Sequence, residues 1–109
     1  MLSNRGTVLL IFFDISVKTK RQRREYRRFR SAMLTMGFAQ LQMSIYYKML
    51  ANVSNIAAQK KVLSKFKPRV GIVQLLPLPL NFFLKLESLV GPQFDFAREL
   101  DPVLEFVDD

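Results

Sequence analysis

The chain has 109 residues, half of them hydrophobic, which supports one compact domain burying ~65% of the surface its unfolded chain would expose. It contains no cysteine and no histidine, which excludes disulfides, zinc fingers, cysteine nucleophiles and histidine bases and leaves carboxylates as the only metal ligands. The formal charge of +8 is uneven: residues 1–69 carry fifteen Lys or Arg against Asp14 and Glu25, whereas residues 70–109 carry seven acids against Lys85 and Arg98.

Residues 7–15, TVLLIFFDI, are β-branched or aromatic on both alternating faces, the pattern of a central strand covered on each side. The apolar run inside this segment is too short for a membrane span or a signal-peptide core, so the cytoplasm is the expected location, with no membrane partner. Asp14 closes the strand. Residues 19–36 read as a helix, because Tyr26, Phe29, Met33 and Met36 recur at helical spacing and Gly37 supplies the stop. Lys20, Arg21, Arg24, Arg27 and Arg28 fall opposite that apolar stripe and face outward.

Residues 38–50 alternate, with Ala39, Leu41, Met43, Ile45 and Tyr47 on one side and Gln40, Gln42, Ser44, Tyr46 and Lys48 on the other. This predicts one long strand or two short ones broken near Gln42. Residues 52–66 form a second helix opened by Asn52 or Ser54, with Val53, Ile56, Leu63 and Phe66 inward and Lys60, Lys61 and Lys65 solvated. Asn52 also begins a glycosylation sequon, but without a secretory route it reads as a cap. Residues 69–77 are a further strand ended by proline. A short helix is expected from about Leu80 to Val90, and residues 101–109, DPVLEFVDD, read as a last edge strand.

The order strand, helix, strand pair, helix, strand predicts an α+β, ferredoxin-like split β-α-β domain. Residues 1–109 form that single domain, and 78–109 are a C-terminal extension containing the edge strand. Right-handed crossovers put both helices on one face of the antiparallel sheet. The other face of the first strand is then apolar and bare, which calls for a sheet-to-sheet homodimer. Leu9, Ile11, Phe13, Val103 and Phe106 are the expected interface residues.

Several pieces, in order, resemble the CRISPR-associated Cas-two family: a hydrophobic strand ending in FFDIS, the basic KRQRREYRRFRSAML, the MGF turn, LQMSIYYKML, and GIVQLLPL. A toxin-type ribonuclease family shares the fold and the early acid. The resemblance covers residues 8–79 and is to the form found in systems with a single large effector nuclease. It implies a homodimer that sits between two dimers of the Cas-one integrase and holds a short DNA duplex before its insertion into a CRISPR array. It implies too that Asp14 matches a first-strand aspartate that binds a divalent metal, Mg²⁺ or Mn²⁺, in some members and lies near its symmetry mate. Members have been described as metal-dependent endonucleases on RNA or duplex DNA, although integration needs no cleavage by this subunit. Phe13 stands where the family often has Tyr or Phe, and the segment Val103 to Val107 is expected to pair with the partner protomer.

The residues themselves leave two readings of Asp14 open. It is a metal ligand and catalytic group, or it caps the following turn or pairs with Arg21. A bound metal supplies hydroxide without histidine, but no second acid lies nearby in sequence. Ser16 and Ser44 orient a phosphate or satisfy backbone groups. The basic stretch is the stronger signal, since solvated faces normally mix signs and here Glu25 is the one acid among eight cations from Lys18 to Arg30. Lys18, Lys20, Arg21, Arg24, Arg27 and Arg28 are therefore the expected nucleic-acid contacts. With Tyr26 and Phe29 turned inward, those contacts go to the duplex backbone rather than to stacked bases. The acidic end of the chain is either a docking strand for the integrase or a solvated terminus.

Overall fold

The computed structural model describes residues 6–93. The strand expected across 101–109, with Val103 and Phe106 and the acidic terminus, lies outside the described residues. The elements run β1 (Thr7–Asp14), α1 (Lys20–Thr35), β2 (Ala39–Gln42), β3 (Ile45–Leu50), α2 (Asn55–Phe66), β4 (Ile72–Pro79) and α3 (Leu80–Phe83). The four strands form one sheet in the order β2-β3-β1-β4, and each neighbouring pair is antiparallel. This is the ferredoxin-like arrangement, in which β3 and β1 occupy the centre and each helix returns the chain across a neighbouring strand.

Because β1 is central, every residue from Thr7 to Phe13 is buried or half-buried, and only Asp14 at its end is exposed. Its two faces serve different cores. Leu9, Ile11 and Phe13 pack with Phe29 and Met33 of α1 and with Ile56 and Leu63 of α2, so both long helices lie on one face of the sheet. Phe13 stacks on Tyr26 at 5.1 Å between ring centroids and meets Phe29 edge-on at 5.0 Å. Each fully buried Leu, Ile or Phe contributes roughly 1.5–3 kcal/mol here. Leu9, Ile11 and Phe13 are therefore filled by their own protomer, which corrects their assignment to a dimer interface. The opposite face carries Val8, Leu10 and Tyr47 and is only partly bare, since Leu80 and Phe83 of α3 cover it.

Local chemistry explains most boundaries. Thr19 opens α1 with a capping box: the Gln22 N–H donates to Thr19 Oγ1 (3.1 Å), and the Thr19 N–H donates to Gln22 Oε1 (3.0 Å). At the other end Gly37 takes φ +96°, and Lys48 Nζ donates to the Met36 carbonyl (2.6 Å), placing a cation at the negative end of the helix. The 38–50 segment is two strands, turning at Met43 and Ser44 after an irregularity between Gln40 and Gln42. Ser54 precedes α2 without a side-chain cap bond and instead donates through Oγ to Asn52 Oδ1. Asn52 thus supports the turn rather than capping the helix.

Three expectations are corrected. Val53 and Phe66 are exposed rather than inward, because the helix starts after Val53 and Phe66 is its last residue. β4 continues through Pro77 to Pro79, which an edge strand permits, since alternate N–H groups there face no partner. The helix expected over Leu80 to Val90 is one turn, ending at Phe83. Ser88 and Gln93 then brace a following bend through Ser88 Oγ to the Pro92 carbonyl (2.7 Å) and Gln93 Nε2 to the Leu86 carbonyl (2.7 Å).

Candidate nucleic-acid interface

Eight cations lie between Lys18 and Arg30, and the fold divides them into two groups. Three have structural partners. Arg23 donates to the Val17 and Lys18 carbonyls (3.1 and 3.0 Å) and ties down the β1–α1 connection. Arg30 Nε donates to the Tyr46 hydroxyl (3.1 Å), whose pKa is raised, first by burial and then by the Tyr26 hydroxyl beside it. Arg28 donates through Nε to Glu25 Oε2 (3.0 Å) and through its other two nitrogens to the Phe66 and Lys67 carbonyls (3.1 Å each). The Arg28 fork thus braces the end of α2, while its side chain stays 41% exposed in the wall of the basic cleft described below.

Glu25 is the other half of that lock. It lies on the buried side of α1, and its second oxygen accepts from the Arg69 backbone N–H (3.2 Å). The Arg28 hydrogen bond, helped by the Arg69 N–H, holds the Glu25 carboxyl below its ordinary value against the opposing effect of burial.

Lys18, Lys20, Arg21, Arg24 and Arg27 are exposed, and their side chains make no hydrogen bond or ion pair among the described residues. Their arrangement works against the helix. Lys20 and Arg24, Arg21 and Arg24, and Arg24 and Arg27 are like-charged neighbours three or four apart, each pair costing a few tenths of a kcal/mol. The first turn holds no acid, so Lys20 and Arg21 also oppose the helix dipole. An external polyanion removes both penalties.

The tertiary fold extends this surface in a way that spacing on α1 does not reveal. Lys65, Lys67 and Arg69, at the end of α2 and in the segment leading to β4, come across to Arg21 and Arg24. Together they line a cleft of about 460 Å³ that includes the Glu25–Arg28 pair in its wall. Lys65 reads in sequence as a solvated helix cation. The signal that marks the group is the stretch KFKPR, 65–69, with three cations where a helix must stop.

Asp14 stands at the carboxyl end of β1, opposite Ile72 of β4 and one residue past Phe13, whose N–H donates to the Ser44 carbonyl (2.8 Å). Gly71 packs so closely against this strand end that a Cβ there would lie 2.6 Å from the Asp14 carbonyl and 2.4 Å from Ile15 Cγ1. The Asp14 carboxylate is exposed and has no ion pair or hydrogen bond among the described residues. Thr19, not Asp14, caps α1, and Arg21 does not pair with it. No group of three acids gathers around Asp14 among the described residues. Ser16 is exposed, and Ser44 serves the sheet through its carbonyl.

Residues 7–82 match the family described as CRISPR associated protein Cas2, the Cas-two family of the sequence resemblance. The chain belongs to that family. Its CRISPR-associated role follows from that membership. Among Cas2 relatives, a protein of Ligilactobacillus salivarius named CRISPR-associated endoribonuclease Cas2 is 32% identical over 90 residues, covering 83% of this chain and 89% of that protein. Proteins of the same name from Lacticaseibacillus rhamnosus and Treponema denticola are 34% and 32% identical, covering 78% and 76% of this chain and 84% and 82% of their own lengths. No helix among the described residues is long and apolar enough to cross a membrane.

Proposed function

We propose that this Cas2 protein acts in CRISPR adaptation as a homodimer that holds the backbone of a DNA duplex on its α1 face and bridges dimers of the Cas-one integrase. The observation that carries this reading is the set of five exposed cations, Lys18 just before α1 and Lys20, Arg21, Arg24 and Arg27 on a helix they destabilise, whose side chains have no partners among the described residues. Arginine suits the task because its planar fork grips phosphate oxygens at two points. Contacts of this kind are insensitive to base sequence and weaken with salt, log K falling by ~0.9 per phosphate neutralised for each log unit. The dimer joins through the sheet face of Phe12, Leu41, Ile45 and Leu78. There an apolar hollow of about 300 Å³ remains beside α3, and Phe82 is half exposed.

The test is duplex binding at moderate salt by the variant Lys20→Glu/Arg21→Glu/Arg24→Glu/Arg27→Glu. Affinity is expected to fall at least about a hundred-fold, with pull-down of the integrase by the duplex-bound protein lost in parallel. Unaltered duplex binding would remove α1 as the contact surface.

A second reading, favoured by the exposed, partnerless carboxylate of Asp14 and by the endoribonuclease names of the relatives, is metal-dependent phosphodiester hydrolysis. One carboxylate per protomer is a thin donor set. Mg²⁺ takes one or two carboxylates along with waters and phosphate oxygens, so the residues fit the ion when Asp14 of two protomers share it. Bound there, Mg²⁺ or Mn²⁺ lowers the pKa of a water and so supplies hydroxide at neutral pH. Asp14 would hold the ion, and the α1 cations would position the phosphate chain. Labelled RNA and duplex DNA incubated with either metal decide this reading. Asp14→Ala is expected to lose cleavage about a hundred-fold or more while keeping duplex affinity, whereas wild-type turnover in that variant would end the catalytic claim.

A further inference from the structure

The cleft between α1 and the end of α2 has features that an outward helix face lacks. Its cations come from three separate segments: Arg21 and Arg24 from α1, Lys65 from α2, and Lys67 and Arg69 from the connection to β4. It is concave and half open, about 460 Å³ in volume, so a phosphate group seated there meets cations from more than one side. Its geometry is set in advance, because Glu25 accepts from both Arg28 and the Arg69 N–H while Arg28 grips the Phe66 and Lys67 carbonyls. That lock neutralises the one acid of the cleft. The side chains of Arg21, Arg24, Lys65, Lys67 and Arg69 are left without hydrogen bonds or ion pairs among the described residues. Five cations held around one hollow repel one another, and an anion with several oxygens relieves that repulsion. Mutual placement paid during folding lowers the ordering cost when the anion arrives.

We infer that this cleft is a phosphate-binding site to which Lys65, Lys67 and Arg69 contribute alongside α1. Nucleic acid as the source of the phosphate rests on the function proposed above. The site also fixes a direction. After Arg30, α1 continues as Ser31, Ala32, Met33, Leu34 and Thr35 with no cation, so a bound backbone crosses the first half of α1 toward the α2–β4 connection instead of following the helix to its end.

The experiment compares two charge-matched variants by fluorescence anisotropy of a labelled duplex over a salt series. One is Lys67→Gln/Arg69→Gln in the cleft; the other is Lys60→Gln/Lys61→Gln on the exposed part of α2. The cleft variant is expected to bind about ten-fold more weakly, with a salt slope smaller by about one, while the α2 variant stays within about two-fold of wild type. Equal losses in the two variants, or none in the first, overturn the site. Should wild-type protein fail to bind duplex at all, the proposed function fails and the second arm judges the cleft. In that arm tripolyphosphate is titrated while the backbone amide NMR signals of Arg21, Arg24, Lys67 and Arg69 are followed. Saturable shifts at those positions, absent in Lys67→Gln/Arg69→Gln, uphold a cleft for free polyphosphate. Unmoved signals overturn it.

Discussion

Glu25 joins two segments that are far apart in sequence, and its titration should be visible in the stability of the whole domain. Its carboxyl sits below the ordinary value of 4.5, chiefly through the Arg28 hydrogen bond. A depressed folded pKa means the lock contributes fully above the unfolded value and is lost as pH falls through the lower, folded value. Glu25→Gln is accordingly expected to melt below wild type at about pH 7 and to converge with it as the pH drops beneath that folded value, which thermal scans over a pH series will check. In sequence Glu25 is a minority acid on a basic helix. Its pairing with Arg28 spans only three residues, but its wider role was not legible there, because its other partner, the Arg69 N–H, and the α2 end gripped by Arg28 are some forty residues away.

At the scale of elements, α1 is the best-marked segment. The apolar positions Tyr26, Phe29, Met33 and Met36 identify its inner face, Gly37 its stop, and Thr19 with Gln22 its start. The capping box matters more than usual here, because Lys20 and Arg21 load the first turn with charge of the wrong sign for the dipole. Thr19→Ala is expected to cost about 1 kcal/mol in denaturant unfolding. The weaker expectations share a cause. α2 begins after Val53 and ends at Phe66, and terminal residues of a helix escape burial even when their spacing matches its inner stripe. Sequence does not say which strand is an edge, so Pro77 reads there as a terminus. In β4, with β1 on one side and no described strand on the other, it costs no hydrogen bond.

For the whole molecule, the proposed dimer makes a prediction separate from DNA binding. Phe82→Glu places a charge on the apolar sheet face at a half-exposed site, so it should leave the protomer folded yet convert a dimer to a monomer in sedimentation. Both faces of β1 are apolar, so in sequence Leu9, Ile11 and Phe13 fit an interface as well as a core. Alternation tells that two sets of residues point opposite ways, not which set the helices cover. What the sequence by itself determined was order and character: strand, helix, two strands, helix, strand, a cationic outer surface on the first helix, and a carboxylate ending the first strand. Those follow from periodicity and local propensity, which act over a few residues. Only the tertiary structure decided which face of β1 is core, that Arg28 reaches two carbonyls at the end of α2, and that Lys65, Lys67 and Arg69 meet Arg21 and Arg24 around one cleft. Each of these depends on how helices cross a twisted sheet, and that brings together side chains whose separation along the chain carries no sign of their proximity.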